Sequence, residues 1–166
     1  MKPTVIPLKS HKSIKNQLLE EIGNCKNFYI KNQYSSFTTD FKSDDDKIYF
    51  RTFWDHNKNV IEHIVTEIIG NKEKWIIDGF WFQQYKNEES HNWHYHPKSF
   101  WTFVYYVELP EDALPVEVIE PFTQNQYIVE AKEGDLVFMP SQYLHRSPPN
   151  VSKDQKTIIS FNMNYC

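Results

Sequence analysis

The stretch that decides the fold contains the triplet His94-Tyr95-His96 and, later in the chain, Gly134-Asp135-Leu136-Val137-Phe138-Met139-Pro140 followed by His145. Side chains alternate across an extended strand, so the rings of His94 and His96 are expected to point to the same side. Two imidazoles on one face, joined by a third from a later strand, can occupy one face of a metal ion and leave other positions open. The pattern therefore predicts a metal site with His94, His96 and His145 as ligands.

The remaining four histidines are less clearly placed. His91 lies three residues before His94, so on a regular strand its ring points to the opposite side. There it would support a ligand ring, face a substrate or lie exposed. The others fall in the helical half and are expected to be structural or on the surface: His11, His56 and His63. Imidazole binds zinc, copper, iron and nickel, so ligand type alone does not choose the metal. The sequence has no Cys-x-x-Cys pair, which argues against structural zinc.

Short runs of β-branched and aromatic residues fill the second half of the chain, separated by polar or proline-containing turns. They cover residues 75–77, 80–82, 100–107, 116–119, 127–129, 136–138 and 157–163. Several short strands in succession predict a sandwich or a barrel. In the first half, apolar spacing predicts helices over 10–24, stopped at Gly23, and over 59–69, ending at Gly70. A loop is expected over 35–47 and a strand over 47–54.

Helices first and strands second predict a mainly β fold with N-terminal helices. The expected core is a double-stranded β-helix of the jelly-roll, cupin-like kind. We find no internal repeat, linker or low-complexity tract in the sequence. It therefore predicts a single domain over 1–166, with helical support over about 1–72 and the jelly-roll core over about 73–166.

The composition limits the partners. The net charge is −4 and there is no cluster of basic residues, so nucleic acid is not an expected partner. No apolar run is long enough to cross a bilayer, and the first residues lack the apolar core of a signal peptide. The two cysteines, Cys25 and Cys166, do not make a disulfide framework. A cytoplasmic protein without a membrane partner is expected, and a homodimer stays open.

Five motifs in order carry a resemblance to a known family. They are Trp-Phe-Gln-Gln-Tyr at 81–85, His-Tyr-His-Pro-Lys-Ser at 94–99, Val-Tyr-Tyr-Val at 104–107, the segment 134–141 with His145, and Ile-Ser-Phe-Asn at 159–162. In these the chain resembles the 2-oxoglutarate/Fe(II)-dependent oxygenase superfamily over residues 75–165, especially its small bacterial and phage members similar to prolyl hydroxylases. The resemblance implies that His94, His96 and His145 hold Fe(II). It also implies that Lys156, where the family usually has arginine, pairs with the distal carboxylate of 2-oxoglutarate, and that Tyr85 helps to bind it.

The activity implied by the resemblance is a dioxygenase that hydroxylates a small-molecule or peptide substrate and converts 2-oxoglutarate to succinate. Two departures from the family pattern stand out. His96 replaces the usual carboxylate ligand, and Ile158 stands where a serine often binds the co-substrate, so that bond is missing or comes from Tyr85 or Thr157. Arg146 is the rival anchor, but its position beside His145 predicts that it points away.

Two other functions stay open at this point. The spacing of Gly134, Pro140 and His145 also fits a cupin motif apart from Gln142, which would suit a three-histidine dioxygenase that works without 2-oxoglutarate. The glutamate that cupins carry shortly after His-x-His is missing, because the next glutamate is Glu108. The third alternative is a non-enzymatic β-sandwich binding module, which the fold alone would allow.

Overall fold

The computed structural model describes residues 2–68 and 75–165. The helices are α1 (His11–Asn24) and α2 (Ile48–His63), and α2 continues into a π-helical turn (Ile64–Ile68). The strands are β1 (Thr4–Pro7), β2 (Phe28–Lys31), β3 (Ser36–Thr39), β4 (Trp75–Tyr85), β5 (His91–His94), β6 (Trp101–Glu108), β7 (Glu117–Ile119), β8 (Gln126–Ile128), β9 (Asp135–Pro140), β10 (Leu144–Ser147) and β11 (Lys156–Tyr165).

The strands of the described residues form two antiparallel sheets. Among these residues, the larger sheet has seven strands in the order β1-β9-β6-β11-β4-β3-β2, and the smaller has four in the order β5-β10-β7-β8. The prediction of a mainly β jelly-roll fold with N-terminal helices is therefore confirmed. Three strands of the large sheet, β1 to β3, come from the first half of the chain, which the sequence had assigned to helical support.

The large sheet has two differently built sides because side chains alternate along its strands. One side, the helix face, packs against α1 and α2 and carries Phe82, Phe103, Tyr105, Ile159 and Phe161, all fully buried. The opposite side, the site face, turns toward the small sheet and carries Tyr85, Thr102, Tyr106, Lys156 and Ser160. The central strands β4, β6 and β11 therefore contribute to both the main core and the site.

The structure corrects the prediction for the first half. The expected strand over 47–54 is wrong, because α2 begins at Ile48 and buries Tyr49, Phe50, Phe53 and Ile61 at helical spacing. These aromatic residues favour strands locally, but packing on the helix face overrides that preference. The loop expected over 35–47 is also partly wrong, since β3 occupies its start.

The two predicted helices have different outcomes. The helix over 10–24 is confirmed as α1, although it continues through Gly23 to Asn24. The helix over 59–69 is the second part of α2 and its π-helical turn, and its expected end at residues 69–70 lies outside the described residues. No helix in the described part of the chain is long and apolar enough to cross a membrane.

The predicted runs 75–77 and 80–82 form one long strand, β4, rather than two. Gly79 has a positive φ of 116°, and the pairing of β4 with β11 shifts between Phe161 and Met163. This is a β-bulge, in which extra residues on one strand oppose fewer on its partner. The bulge brings Asp78 and Gly79 opposite Asn162, at the edge of the site described below.

Candidate metal centre

Two neighbouring strands of the small sheet bring the three predicted ligands together. His94 ends β5 and is the direct antiparallel partner of His145 on β10. His96 follows β5, and its backbone N–H donates to Ser141 O at 2.9 Å. One ring nitrogen from each histidine lies within 4.8 Å of the other two. Within residues 2–68 and 75–165 this is the one such group of three histidine, cysteine or acidic side chains.

The hydrogen bonds of two of these rings leave their outer nitrogens ready for a metal. Nδ1 of His94 lies 2.7 Å from Asn92 O, and Nδ1 of His145 lies 2.8 Å from Tyr143 O. A carbonyl oxygen can only accept, so both Nδ1 atoms carry the hydrogen and both Nε2 atoms keep a lone pair. Metal-bound histidines usually donate their second ring N–H in this way.

The third ring is positioned by Asn162 on β11. Nδ1 of His96 lies 3.2 Å from Asn162 Nδ2, and Asn162 Oδ1 accepts from Thr102 Oγ1 at 3.0 Å. A half-turn of the Asn162 amide would set its oxygen against His96 Nδ1 and free Nε2 of that ring as well. Thr102 could then accept from the amide and donate to Ser141 Oγ, which is 2.8 Å away. Asn162 is therefore suited to orient His96 for a metal.

Burial keeps all three rings neutral at pH 7. Desolvation lowers the pKa of His94, lowers that of His145 well below its usual value, and, together with the neighbouring His94, lowers that of His96 to about 4. Imidazole binds metals only in its neutral form. The fit to a metal that takes nitrogen ligands is thus good in protonation for all three rings and in tautomer for His94 and His145.

The expectation that the His91 ring faces away from the ligands is wrong, although a place beside a ligand ring was among those expected. Its ring stacks on that of His94 with centroids 3.9 Å apart, and its Nδ1 lies 3.1 Å from Gln83 Nε2. The reason is an irregularity in β5, whose pairing shifts between His145–His94 and Ser147–His91. One extra residue on a strand reverses the parity of the side chains beyond it.

Next to the histidines, Lys156 is almost completely buried, with 1% of its surface exposed. Its Nζ donates to Ser147 Oγ at 2.6 Å and to Leu114 O at 2.9 Å, and lies 4.9 Å from the ring centre of Tyr85. No carboxylate within the described residues pairs with it. Desolvation lowers the pKa of Lys156 to about 7. An ammonium has three hydrogens, so one donor remains available for a ligand.

Two cavities meet at the histidines. The inner chamber is lined by Tyr85, Ser147 and Lys156 together with the three rings, and has a volume of about 30 Å³. The outer pocket is lined by Phe37, Trp81 and the segment Tyr95–Ser99, among others, and has about 760 Å³. Trp81, Gln83, His91, His94 and His96 line both, whereas His145 lines the inner chamber. The metal site therefore lies between a small cavity and a large one.

No family model matches the chain, and no curated protein matches it in sequence. Solved structures do match. An oxidoreductase of the 2OG-Fe(II) oxygenase family from Burkholderia pseudomallei has a TM-score of 0.76 at 7% identity, with 98% of this chain and 84% of that chain covered. A prolyl-4-hydroxylase from Pseudomonas putida has a TM-score of 0.71 at 10% identity, with 99% of this chain and 92% of that chain covered. HygX from Streptomyces hygroscopicus has a TM-score of 0.72 at 8% identity, with 98% of this chain and 82% of that chain covered. This chain has the fold of the 2-oxoglutarate/Fe(II)-dependent oxygenases.

Within this oxygenase fold, sequence reasoning missed Ser147. Thr157, one suggested source of the missing hydrogen bond, instead donates to Glu108 Oε2 at 2.6 Å. The hydroxyl beside Lys156 belongs to Ser147, which lies two positions after His145 on β10 and so has the same parity. That parity was the available signal. Arg146, between them, bonds Glu117 and lies over the Trp93 ring, so it is not free to act as the anchor.

Proposed function

We propose that the protein is a 2-oxoglutarate- and Fe(II)-dependent dioxygenase. In this proposal His94, His96 and His145 hold the metal and Lys156 holds the distal carboxylate of 2-oxoglutarate. The observation that carries it is the buried lysine, which has no carboxylate partner in the described part of the chain and lies beside three converging neutral imidazoles. Burying an unpaired charge costs several kcal/mol unless an opposite charge compensates it. A dianionic ligand next to a metal would do so.

The solved neighbours support both ligands. HygX was solved with nickel and 2-oxoglutarate bound, and the epimerase SnoN with Fe3+ and alpha ketoglutarate. SnoN has a TM-score of 0.74 at 11% identity, with 97% of this chain and 78% of that chain covered. These likenesses concern the fold, so the assignment of ligands to this chain depends on its own side chains.

Each side chain of the site has a definite task in the proposed reaction. When bound, iron(II) and 2-oxoglutarate together supply oxygen activation coupled to decarboxylation of the co-substrate to succinate. The three imidazoles present neutral lone pairs, and Lys156 and Ser147 donate to the carboxylate. Burial raises the pKa of Tyr85, so its hydroxyl stays protonated and can donate too. Three neutral ligands leave the full metal charge to be balanced by the anionic co-substrate.

The inner chamber must widen to admit the co-substrate. Its volume of about 30 Å³ is far below the roughly 300–1,000 Å³ of small-molecule sites. The Tyr85 hydroxyl now donates to Gln83 Oε1 at 3.0 Å. Turning that hydroxyl toward a carboxylate would free Gln83 Oε1 and leave the side chain held by His91 alone.

A second candidate function is a three-histidine dioxygenase without 2-oxoglutarate. The observations that favour it are His96 in place of a carboxylate ligand and the small volume of the inner chamber. In that case Lys156 would compensate a different anion or remain an unpaired buried cation.

The deciding experiment measures succinate formed from 2-oxoglutarate with Fe(II) and ascorbate. We expect turnover by the wild type and by His56→Ala, a control that removes an exposed histidine of α2, and none by His145→Ala. Metal binding without affinity for 2-oxoglutarate would favour the second candidate. Absence of metal binding by the folded wild type would contradict both.

A further inference from the structure

The outer pocket is large enough for a small organic molecule and leads directly to two of the proposed metal ligands, His94 and His96. Its volume of about 760 Å³ falls within the roughly 300–1,000 Å³ of small-molecule sites. Its walls come from β2 and β3 (Phe28, Ile30, Phe37) and from the bulged part of β4. Nothing in the proposed handling of the metal or the diacid uses these walls.

Aromatic rings line the path from the surface to the metal centre. Phe41 is 61% exposed and meets Trp81 edge to face, with centroids 5.2 Å apart. The Trp81 ring lies 5.7 Å from that of His96, and the Phe37 ring lies 4.5 Å from that of His91. Such rings provide flat apolar surfaces against which another ring packs favourably.

The charged side chains of this pocket are two lysines and one carboxylate, so its lining has a net positive charge. Lys42 and Lys98 line it, are exposed, and have no ion-pair partner within the described residues. The one carboxylate in the lining, Asp78, accepts from Asn164 Nδ2 at 2.8 Å and from Ser99 Oγ at 3.4 Å. Asp44 and Asp45 line a different cleft. An anionic group would therefore meet two unpaired cations here.

We propose that the outer pocket binds the primary substrate, and that this substrate is a small ring-bearing acid. Its rings pack against Phe37, Phe41 and Trp81, and its acidic group lies toward Lys42 and Lys98. The reaction on this molecule rests on the proposed function, but its binding does not. A finite pocket of this size favours a small molecule over an extended peptide paired to the open edge of β2.

The test uses two fluorescent probes that differ by one acidic group. 1-Anilinonaphthalene-8-sulfonate carries a sulfonate, and N-phenyl-1-naphthylamine is the same ring system without it. Both are titrated into the full chain, with and without Ni²⁺ and 2-oxoglutarate. We expect saturable binding of both probes, tighter for the sulfonate, whether or not the metal and the diacid are added.

Four exposed positions supply the variants, so folding should be unaffected. The double variant Lys42→Glu/Lys98→Glu should weaken sulfonate binding roughly threefold to tenfold and leave the neutral probe unchanged, whereas Lys58→Glu, on α2, should change neither. Phe41→Ala should weaken both probes. Equal affinity for the two probes, or sulfonate binding unaffected by the double variant, would overturn the proposal. Probe binding that follows these rules in a protein that forms no succinate would uphold the pocket and reject the oxygenase.

Discussion

The helix face and the site face of the large sheet are built from the same strands, but the helix face buries apolar side chains whereas the site face also buries polar ones. On the helix face, Phe103 and Phe161 stack with centroids 4.5 Å apart and pack against the helices. On the site face, β11 places Lys156, Ser160 and Asn162 in equally buried positions. Alternation puts these residues next to those of the apolar face in sequence, so one strand serves both purposes.

The difference between the two faces indicates which residues stabilise the fold and which are suited to bind ligands. Burial of the apolar residues on the helix face stabilises the folded chain. A buried lysine whose pKa falls to about 7 instead lowers the stability of the fold. Groups that are costly in the folded chain and lie together in a cleft are candidates for function. The following predictions test whether the two faces really differ in this way.

The largest effect is expected on the helix face. Phe161→Ala should lower the free energy of unfolding by about 3–5 kcal/mol, because the ring is fully buried and the cavity left behind cannot close. Its neighbour on the site face gives the matched control, and Ser160→Ala should change stability by less than about 1 kcal/mol. Urea unfolding followed by circular dichroism measures both. Equal losses for the two variants would remove the distinction between the faces.

Lys156→Met should change the free energy of unfolding in the opposite direction from Phe161→Ala. Methionine keeps the length of the side chain and removes the buried charge, so the free energy of unfolding at pH 7 should rise by about 1–4 kcal/mol. The same urea titration measures it. A loss as large as that of Phe161→Ala would mean that Lys156 is a structural residue held by Ser147 and Leu114.

Asn162→Ala tests the positioning of His96. Losing the amide leaves the ring free to rotate, so affinity for Ni²⁺ should fall roughly tenfold to a hundredfold. Asn164→Ala is the control, because Asn164 lies on the same strand but bonds Asp78 and the Lys98 carbonyl instead. Competition with a coloured chelator gives both affinities. If the two variants bind nickel alike, Asn162 does not orient the ligand.

The last expected effect is a pH dependence, which is small for each single pH unit. The unfolded chain keeps the proton of Lys156 up to about its ordinary pKa of 10.5, whereas the folded chain releases it above about 7. Stability of the wild type should therefore rise with pH across this window, by at most about 1.4 kcal/mol per pH unit, relative to Lys156→Met. Unfolding at pH 7, 8 and 9 compares the two proteins. Parallel profiles would show that Lys156 titrates normally.

Much of the site could be predicted because alternation along strands is local. The sequence indicates that His94 and His96 point to the same side and that a third histidine, His145, follows later. It also places Lys156 at the start of a strand. The orientation of His91 could not be predicted, because the irregularity in β5 arises from its pairing with β10. Ser147 shares the parity of His145, but only the fold brings Lys156 against it.

The fold was predictable in its second half and less so in its first. Runs of β-branched residues gave the central strands, whereas the aromatic residues that open α2 looked like a strand. Their burial against Phe82 and Phe161 decides the helix, and that contact joins distant parts of the chain. β1 and β3 are short strands that pair with β9 and β4, far along the sequence, and the equally short β2 pairs with its neighbour β3. Local patterns do not reveal the distant pairings.

The central claim is that Lys156 and the three histidines together form a receptor for a metal and a diacid. Calorimetric titration of 2-oxoglutarate into Ni²⁺-loaded wild type, Lys156→Met and the exposed control Lys153→Met tests it most directly. We predict that Lys156→Met weakens binding by roughly 2–5 kcal/mol while the protein becomes more stable, and that the control binds like the wild type. Equal affinity of all three proteins for 2-oxoglutarate would contradict the account.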